Sequence, residues 1–93
     1  MFTVTDEEKN EALSLYFESR EPLVLRLFPR KQKRKYLCLL WIIDVFDKAV
    51  VYSENEIDDV LKGVYHNYVT LRRYLVDYRL LERKRDGSKY WRA

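Results

Sequence analysis

Apolar side chains recur at helical spacing in several stretches of this chain, and short apolar runs bounded by Pro, Gly or charged residues separate them. Thr5-x-x-Glu8 has the spacing of a capping box, in which hydroxyl and carboxylate each satisfy a free backbone amide of the other residue. Acids in the following turn suit a helix N-terminus. The pattern predicts a helix over 6–19 with an apolar stripe of Ala12, Leu13, Tyr16 and Phe17, ended by Pro22. Leu23-Val24-Leu25-Arg26-Leu27-Phe28, between Pro22 and Pro29, reads equally as a strand or an extended linker. A second helix is predicted over 30–46, with Pro29 at or just before its first turn. Tyr36, Leu40 and Ile43 share one side, and Cys38, Trp41, Ile42 and Val45 share the other. A helix apolar nearly all round is buried on two sides. Either the first helix covers the second side, or a second copy does.

Val50-Val51-Tyr52 is a short β-prone run, and Ser53-x-x-Glu56 is a second capping box. It predicts a helix over 54–62, with Gly63 as the C′ residue. The next helix is predicted over 66–78. Tyr68, Leu71, Leu75 and Tyr78 form its inner stripe, and His66, Thr70, Arg73 and Asp77 face outward. Residues 80–84 and 89–92 are strand-like and flank Arg85-Asp86-Gly87-Ser88, a hairpin signal. A strand at 50–52 would add a third strand to that hairpin. The order from residue 30 is helix, short strand, helix, short turn, helix, hairpin. That is the order of a winged helix-turn-helix. The expected fold is α+β and mainly helical: a winged helix-turn-helix with an extra N-terminal helix. Residues 1–21 form an acidic helix packing on the body, and residues 22–93 the winged-helix-like domain.

Composition narrows the classes. At 93 residues, with 47% hydrophobic and 35% charged residues, the chain has material for one small core and too much for disorder. A lone Cys38 cannot form an internal disulfide, and with a lone His66 it makes no zinc-ligand set. No metal or other cofactor is expected. The apolar run from Tyr36 is broken at Asp44, far short of the roughly 20 residues a membrane span needs. The acidic start does not read as a signal or transit peptide. No membrane association is expected, and the expected location is cytoplasmic. Net charge is +3 but uneven: residues 1–21 carry six acids and two bases, net −4, and residues 22–93 carry 16 bases and nine acids, net +7. A basic body attracts polyanions at long range without specifying a sequence.

The stretch from Leu27 to Arg92 also resembles the domain of unknown function 2087 family. The resemblance is carried by Phe28-Pro29 with its basic run, Tyr52-Ser53-Glu54-Asn55-Glu56-Ile57, Thr70-Leu71-Arg72-Arg73, Leu75-Val76-Asp77, and Asp86 to Arg92. It implies a winged-helix-like fold and a link to bacterial transcription regulation, where such domains often accompany DNA-binding ones. The chain departs from the family pattern at Tyr65-His66-Asn67-Tyr68, and at Arg79, where Gly or Glu is common.

Three groups are candidates for chemistry. Arg30, Lys31, Lys33, Arg34 and Lys35 put five cations in six residues at a helix start, the end the dipole makes unfavourable for them. They contact phosphates, or they form a solvated face. On the 66–78 helix, Thr70 and Arg73 are placed to reach base edges, with Arg73 suited to guanine, and Arg72 to clamp a phosphate. The bland alternative pairs Arg72 and Arg73 with acids such as Asp77, which would also repel DNA. Arg83, Lys84, Arg85, Lys89 and Arg92 surround the hairpin tip. They lie along a phosphate strand, or protect a sheet edge against aggregation. Tyr90 and Trp91 read as sheet packing, Cys38 as a buried hydrophobe, and His66 as a capping or surface residue. No nucleophile, phosphate loop or metal set accompanies His66, so an enzyme is not expected. The leading expectation is duplex DNA binding in bacterial transcription regulation. The alternatives are a protein-interaction or dimerisation module, with a homodimer formed through the helix bearing Trp41, and RNA binding.

Overall fold

The computed structural model describes residues 2–93. Its elements are α1 (Asp6–Tyr16), β1 (Phe17–Arg20), β2 (Leu23–Leu25), α2 (Gln32–Ile43), α3 (Glu54–Lys62), α4 (Tyr68–Asp77), β3 (Leu81–Arg83) and β4 (Tyr90–Arg92). The fold is α+β, with four helices and two small antiparallel hairpins, β1–β2 and β3–β4.

Both capping boxes form. The Thr5 and Ser53 hydroxyls accept from the amides of Glu8 and Glu56, and each glutamate accepts from the amide of its capping residue. The first helix ends earlier than its apolar stripe predicts. Phe17 is extended, and 17–20 turn back as a strand against 23–25 through a cis Glu21–Pro22 peptide. The stripe could not distinguish these outcomes, because Phe17 is buried in either one. The free end of α1 is satisfied from the returning chain: the amides of Arg26 and Leu27 donate to the Tyr16 carbonyl at 2.8 and 3.2 Å, and the Arg26 guanidinium donates to the Leu15 carbonyl. The Leu25 amide donates to the Val64 carbonyl at 2.8 Å, tying this hairpin to the end of α3.

Helix α1 packs along α2. The Trp41 indole N–H donates to the Lys9 carbonyl at 2.8 Å, and the Lys9 ammonium lies 4.7 Å from the ring centre. Cys38 and Ile42, on the side of α2 that needed a cover, are completely buried, while Val45 beyond them is exposed. Burial pushes the Cys38 thiol up to about 12, so at neutral pH it carries almost no reactive thiolate. Helix α2 is shorter than predicted at both ends. Its last residues tighten into i→i+3 turns, Val45 N–H to Ile42 O and Phe46 N–H to Ile43 O, which carry Phe46 into the core.

Helices α3 and α4 join through Gly63–Asn67, and Ile57, Leu61, Leu71 and Leu75 are all fully buried. Gly63 caps α3 at φ −71°, so it is not the left-handed residue its position predicted. Asn67, not His66, precedes α4, without a side-chain cap. His66 is exposed, its ring 4.4 Å from that of Tyr65. In the β3–β4 hairpin, Leu81, Glu82 and Arg83 pair with Arg92, Trp91 and Tyr90. The predicted strand at 50–52 reduces to one bridge, in which Tyr52 and Tyr90 exchange two 2.8 Å hydrogen bonds. Tyr90 is buried, and the half-buried Trp91 donates its indole N–H to Glu82 at 2.8 Å.

The left-handed helix end falls instead after α4. Arg79 has φ 63°, its amide donates to Val76 O at 3.0 Å, and the Leu80 amide donates to Leu75 O at 2.9 Å. These two bonds are a Schellman closure, in which Gly is the favoured residue. A non-glycine residue in this region costs about 1–2 kcal/mol, partly offset by the greater freedom Gly has when unfolded. Arg79→Gly is expected to stabilise the fold by roughly 0.5–1 kcal/mol and raise the melting temperature by about 4 °C. An unchanged or lower midpoint in thermal denaturation would show that the Arg79 backbone is not strained.

Candidate nucleic-acid interface

The predicted cations divide by what they touch. In the basic run, Lys33 meets Glu8 of α1 at 2.6 Å. Arg34 donates to the Tyr16 hydroxyl at 2.7 Å. Lys35 donates to the Tyr74 hydroxyl of α4 at 3.2 Å and lies 4.6 Å from that ring's centre. Arg30 and Lys31 are exposed. The run is therefore spread over three directions, toward α1, toward α4 and into solvent. The Lys33 hydrogen bond, with the Thr5 backbone, holds the Glu8 carboxyl below its ordinary value of 4.5. A depressed carboxylate stabilises above its unfolded value, so this contact is present at neutral pH and lost only as pH falls through the depressed value. Lys31 precedes helix α2 as its N-cap residue without a side-chain capping bond, and the first turn holds no acid.

Helix α4 lies between the basic run and the hairpin. At 100° per residue, Leu71, Leu75 and Tyr78 point inward, Tyr74 faces the start of α2, and Arg72 and Val76 lie on the other flank. Arg72 is not available to a phosphate. Its guanidinium pairs with Asp58 and, at 2.9 Å, with Glu54, both on α3. The Arg72 side chain is 18% exposed and that of Asp58 is 17% exposed. Burial acts against the charged guanidinium, but the Asp58 hydrogen bond and the charges of Asp58 and Glu54 outweigh it, so its pKa is raised. Arg72 thus fixes α4 on α3. The acids expected to hold it lay on the wrong helix, because sequence spacing sees Asp77 and not Asp58.

Arg73 behaves differently. It is exposed, and among the described residues it makes no salt bridge, even with Asp77 one turn away. Val69, Arg73 and Asp77 follow at four-residue intervals on the outer ridge, with the half-buried Thr70 beside them. Val69 is 49% exposed. Periodicity assigned Thr70, Arg73 and Asp77 to this face and left Val69 unassigned.

The hairpin stands across a cleft of about 440 Å³ from this face, with Thr70, Arg73 and Asp77 on one wall and Arg83, Asp86 and Gly87 on the other. Its tip is a tight turn in which the Gly87 amide donates to Lys84 O at 2.9 Å and the Lys84 amide to Lys89 O at 2.9 Å. Gly87 takes φ 75°, while Asp86 accepts from the Ser88 amide and hydroxyl at 2.9 and 2.7 Å. These bonds hold the Asp86 carboxyl below its ordinary range. A Cβ on Gly87 would meet the Arg83 guanidinium at 3.4 Å and Glu54 at 3.7 Å, ordinary contact distances, so it is the positive φ that favours glycine here. Arg83, Lys84, Arg85 and Lys89 are exposed. Arg92 is not at the tip. It lies at the hairpin base, donating to Phe46 O at 3.0 Å and meeting Asp44 at 3.3 Å.

The contrast between adjacent arginines is testable by urea denaturation. Arg72→Ala is expected to cost about 2 kcal/mol, because it leaves a largely buried carboxylate unpaired. Arg73→Ala is expected to change stability by no more than about 0.5 kcal/mol. Equal losses would contradict the division of roles.

Residues 24–92 match the model of a family described as an uncharacterized protein conserved in bacteria, DUF2087. The match begins within β2 and leaves α1 and β1 outside it. No curated protein and no solved structure matches the chain.

Proposed function

The chain belongs to the DUF2087 family of uncharacterized bacterial proteins, and from its geometry we propose a non-enzymatic domain of winged-helix type that binds duplex DNA. Helices α3 and α4, joined by a short turn, take the part of the helix-turn-helix, and the β3–β4 hairpin is the wing. The Tyr52–Tyr90 bridge is the remnant of the wing's third strand. The observation that carries the reading is the outer face of α4. It offers an Arg73 that makes no salt bridge among the described residues, beside Thr70, and is flanked on one edge by Lys35, seated on Tyr74, and on the other by the exposed cations of the hairpin. An α-helix fits the major groove, and flanking cations meet the phosphates on either side. Arg72 and Arg92 serve this interface indirectly, by fixing α4 and the hairpin to the body. The setting we infer is bacterial transcription regulation.

A second reading is a protein-interaction module. It draws support from Val45, Val50 and Val51, at 39%, 38% and 55% exposure, in the segment that joins α2 to the hairpin sheet. In that segment the Tyr52 hydroxyl accepts from the Asp47 amide at 2.8 Å. Sedimentation at several concentrations separates the two: a monomer that binds DNA supports the first, and a tight dimer indifferent to DNA supports the second.

Fluorescence anisotropy of a labelled random duplex tests the proposal directly. Affinity is expected to fall steeply between about 50 and about 200 mM salt, as released counterions require. Replacing Arg73, Lys84 and Arg85 together by Ala is expected to lower affinity at least roughly tenfold and flatten the salt slope by about two to three. No binding at the lower salt, or a triple variant that stays folded and binds as before, overturns the reading.

A further inference from the structure

The outer ridge of α4 carries more than a cation. Val69, Arg73 and Asp77 stand four residues apart, one turn above another, and all three are exposed. Their chemistry runs apolar, donor, acceptor. In the major groove, methyl groups meet the thymine methyl, Arg donates to guanine O6 and N7, and a carboxylate accepts from the cytosine N4 amino group. Asp77 is the informative member. A carboxylate on a DNA-facing ridge repels phosphate, so on a surface built only for backbone contact it would weaken binding. An acid at the last turn of a helix is also disfavoured by the dipole. It is not retained there by Arg73, because the two make no salt bridge. The Asp77 carboxylate forms no hydrogen bond with any described residue either.

Resting on the reading of α4 as the groove-facing helix, we propose that Arg73 and Asp77 are specificity-determining residues, Arg73 selecting a guanine and Asp77 a cytosine, with Val69 favouring a thymine beside them. Eight residues of helix span about 12 Å, so the three selected bases fall within about four consecutive base pairs. The cost Asp77 imposes at the phosphates is recovered only where a cytosine amino group faces it. Asp77 therefore lowers affinity for random DNA and raises the contrast between sites.

The test is enrichment from a random duplex library with the full chain, run in parallel with Asp77→Asn and Arg73→Ala. Both positions are exposed, and circular dichroism confirms that each variant is folded. The wild type is expected to enrich a guanine and a cytosine within four base pairs. Asparagine pairs with adenine N6 and N7, so Asp77→Asn is expected to exchange the selected cytosine for adenine and keep the guanine, and to bind random duplex more tightly. Arg73→Ala is expected to lose the guanine preference. Each correct base is expected to be favoured roughly tenfold over its replacement. A cytosine preference unchanged in Asp77→Asn, or salt-sensitive binding with no enriched bases, overturns this inference and leaves the DNA-binding proposal standing. Absence of salt-sensitive binding by the wild type overturns the DNA-binding proposal itself, and this inference with it.

Discussion

From Tyr36 to Ile43 helix α2 is apolar on every side, and most of the architecture answers that constraint. Cys38, Leu39 and Ile42 have no exposed surface at all. Truncating Leu39 or Ile42 to Ala costs about 2–5 kcal/mol, a large part of the roughly 5–14 kcal/mol available to a domain of this size. One side of α2 is closed by α1, with the Trp41 indole bonded to the Lys9 carbonyl, and α4 packs against it as well. The first helix is thus part of the core, which runs without interruption from Ala12 and Phe17 through α2 to Tyr90. Its acids come with it. The same packing that buries Ala12 sets Glu8 against Lys33, so the acidic segment partly neutralises the basic run beside it.

Charge on this protein is divided between holding the fold and facing outward, and the division does not follow residue type. Arg72 and Arg92 each join two elements through carboxylates or a backbone carbonyl. Both are largely shielded from solvent, where removing one partner of an ion pair is far more costly than at an exposed site. Arg73 and the hairpin cations Lys84, Arg85 and Lys89 have no such partners among the described residues and remain exposed. Two adjacent arginines on one helix therefore have opposite roles. Arg72 lies on the flank that meets α3, and Arg73 lies 100° further round on the ridge that lines the cleft toward the hairpin, where it makes no salt bridge with a described residue.

Local signals were legible wherever one short stretch contained the whole physical cause. Thr5-x-x-Glu8 and Ser53-x-x-Glu56 form the capping boxes their spacing announces, because both partners of each bond lie within four residues. The inner stripe of α4, the burial of Cys38 and the turn at Asp86-Gly87 follow for the same reason: periodicity and residue chemistry suffice. The outward placement of Thr70 and Arg73 was equally readable.

Tertiary structure decided what depends on residues distant in the chain. The return of 17–20 as a strand needed a partner at 23–25 and carbonyls of α1 to satisfy, and a stripe ending in Phe17 fits helix and strand alike. The left-handed position fell on Arg79 instead of Gly63, because the closure after α4 is set by where Leu80 and the β3 strand must go. The partners of Arg72 lie 14 and 18 residues away on α3, beyond any helical spacing rule. Lys35 finds Tyr74 only because α2 and α4 pack together. Sequence alone determined the number of helices, the N-terminal caps of α1 and α3, the inner face of α4 and the uneven charge, since each is a local or compositional property. Which cations are spent on the fold and which are left to face a partner is a property of the packed chain.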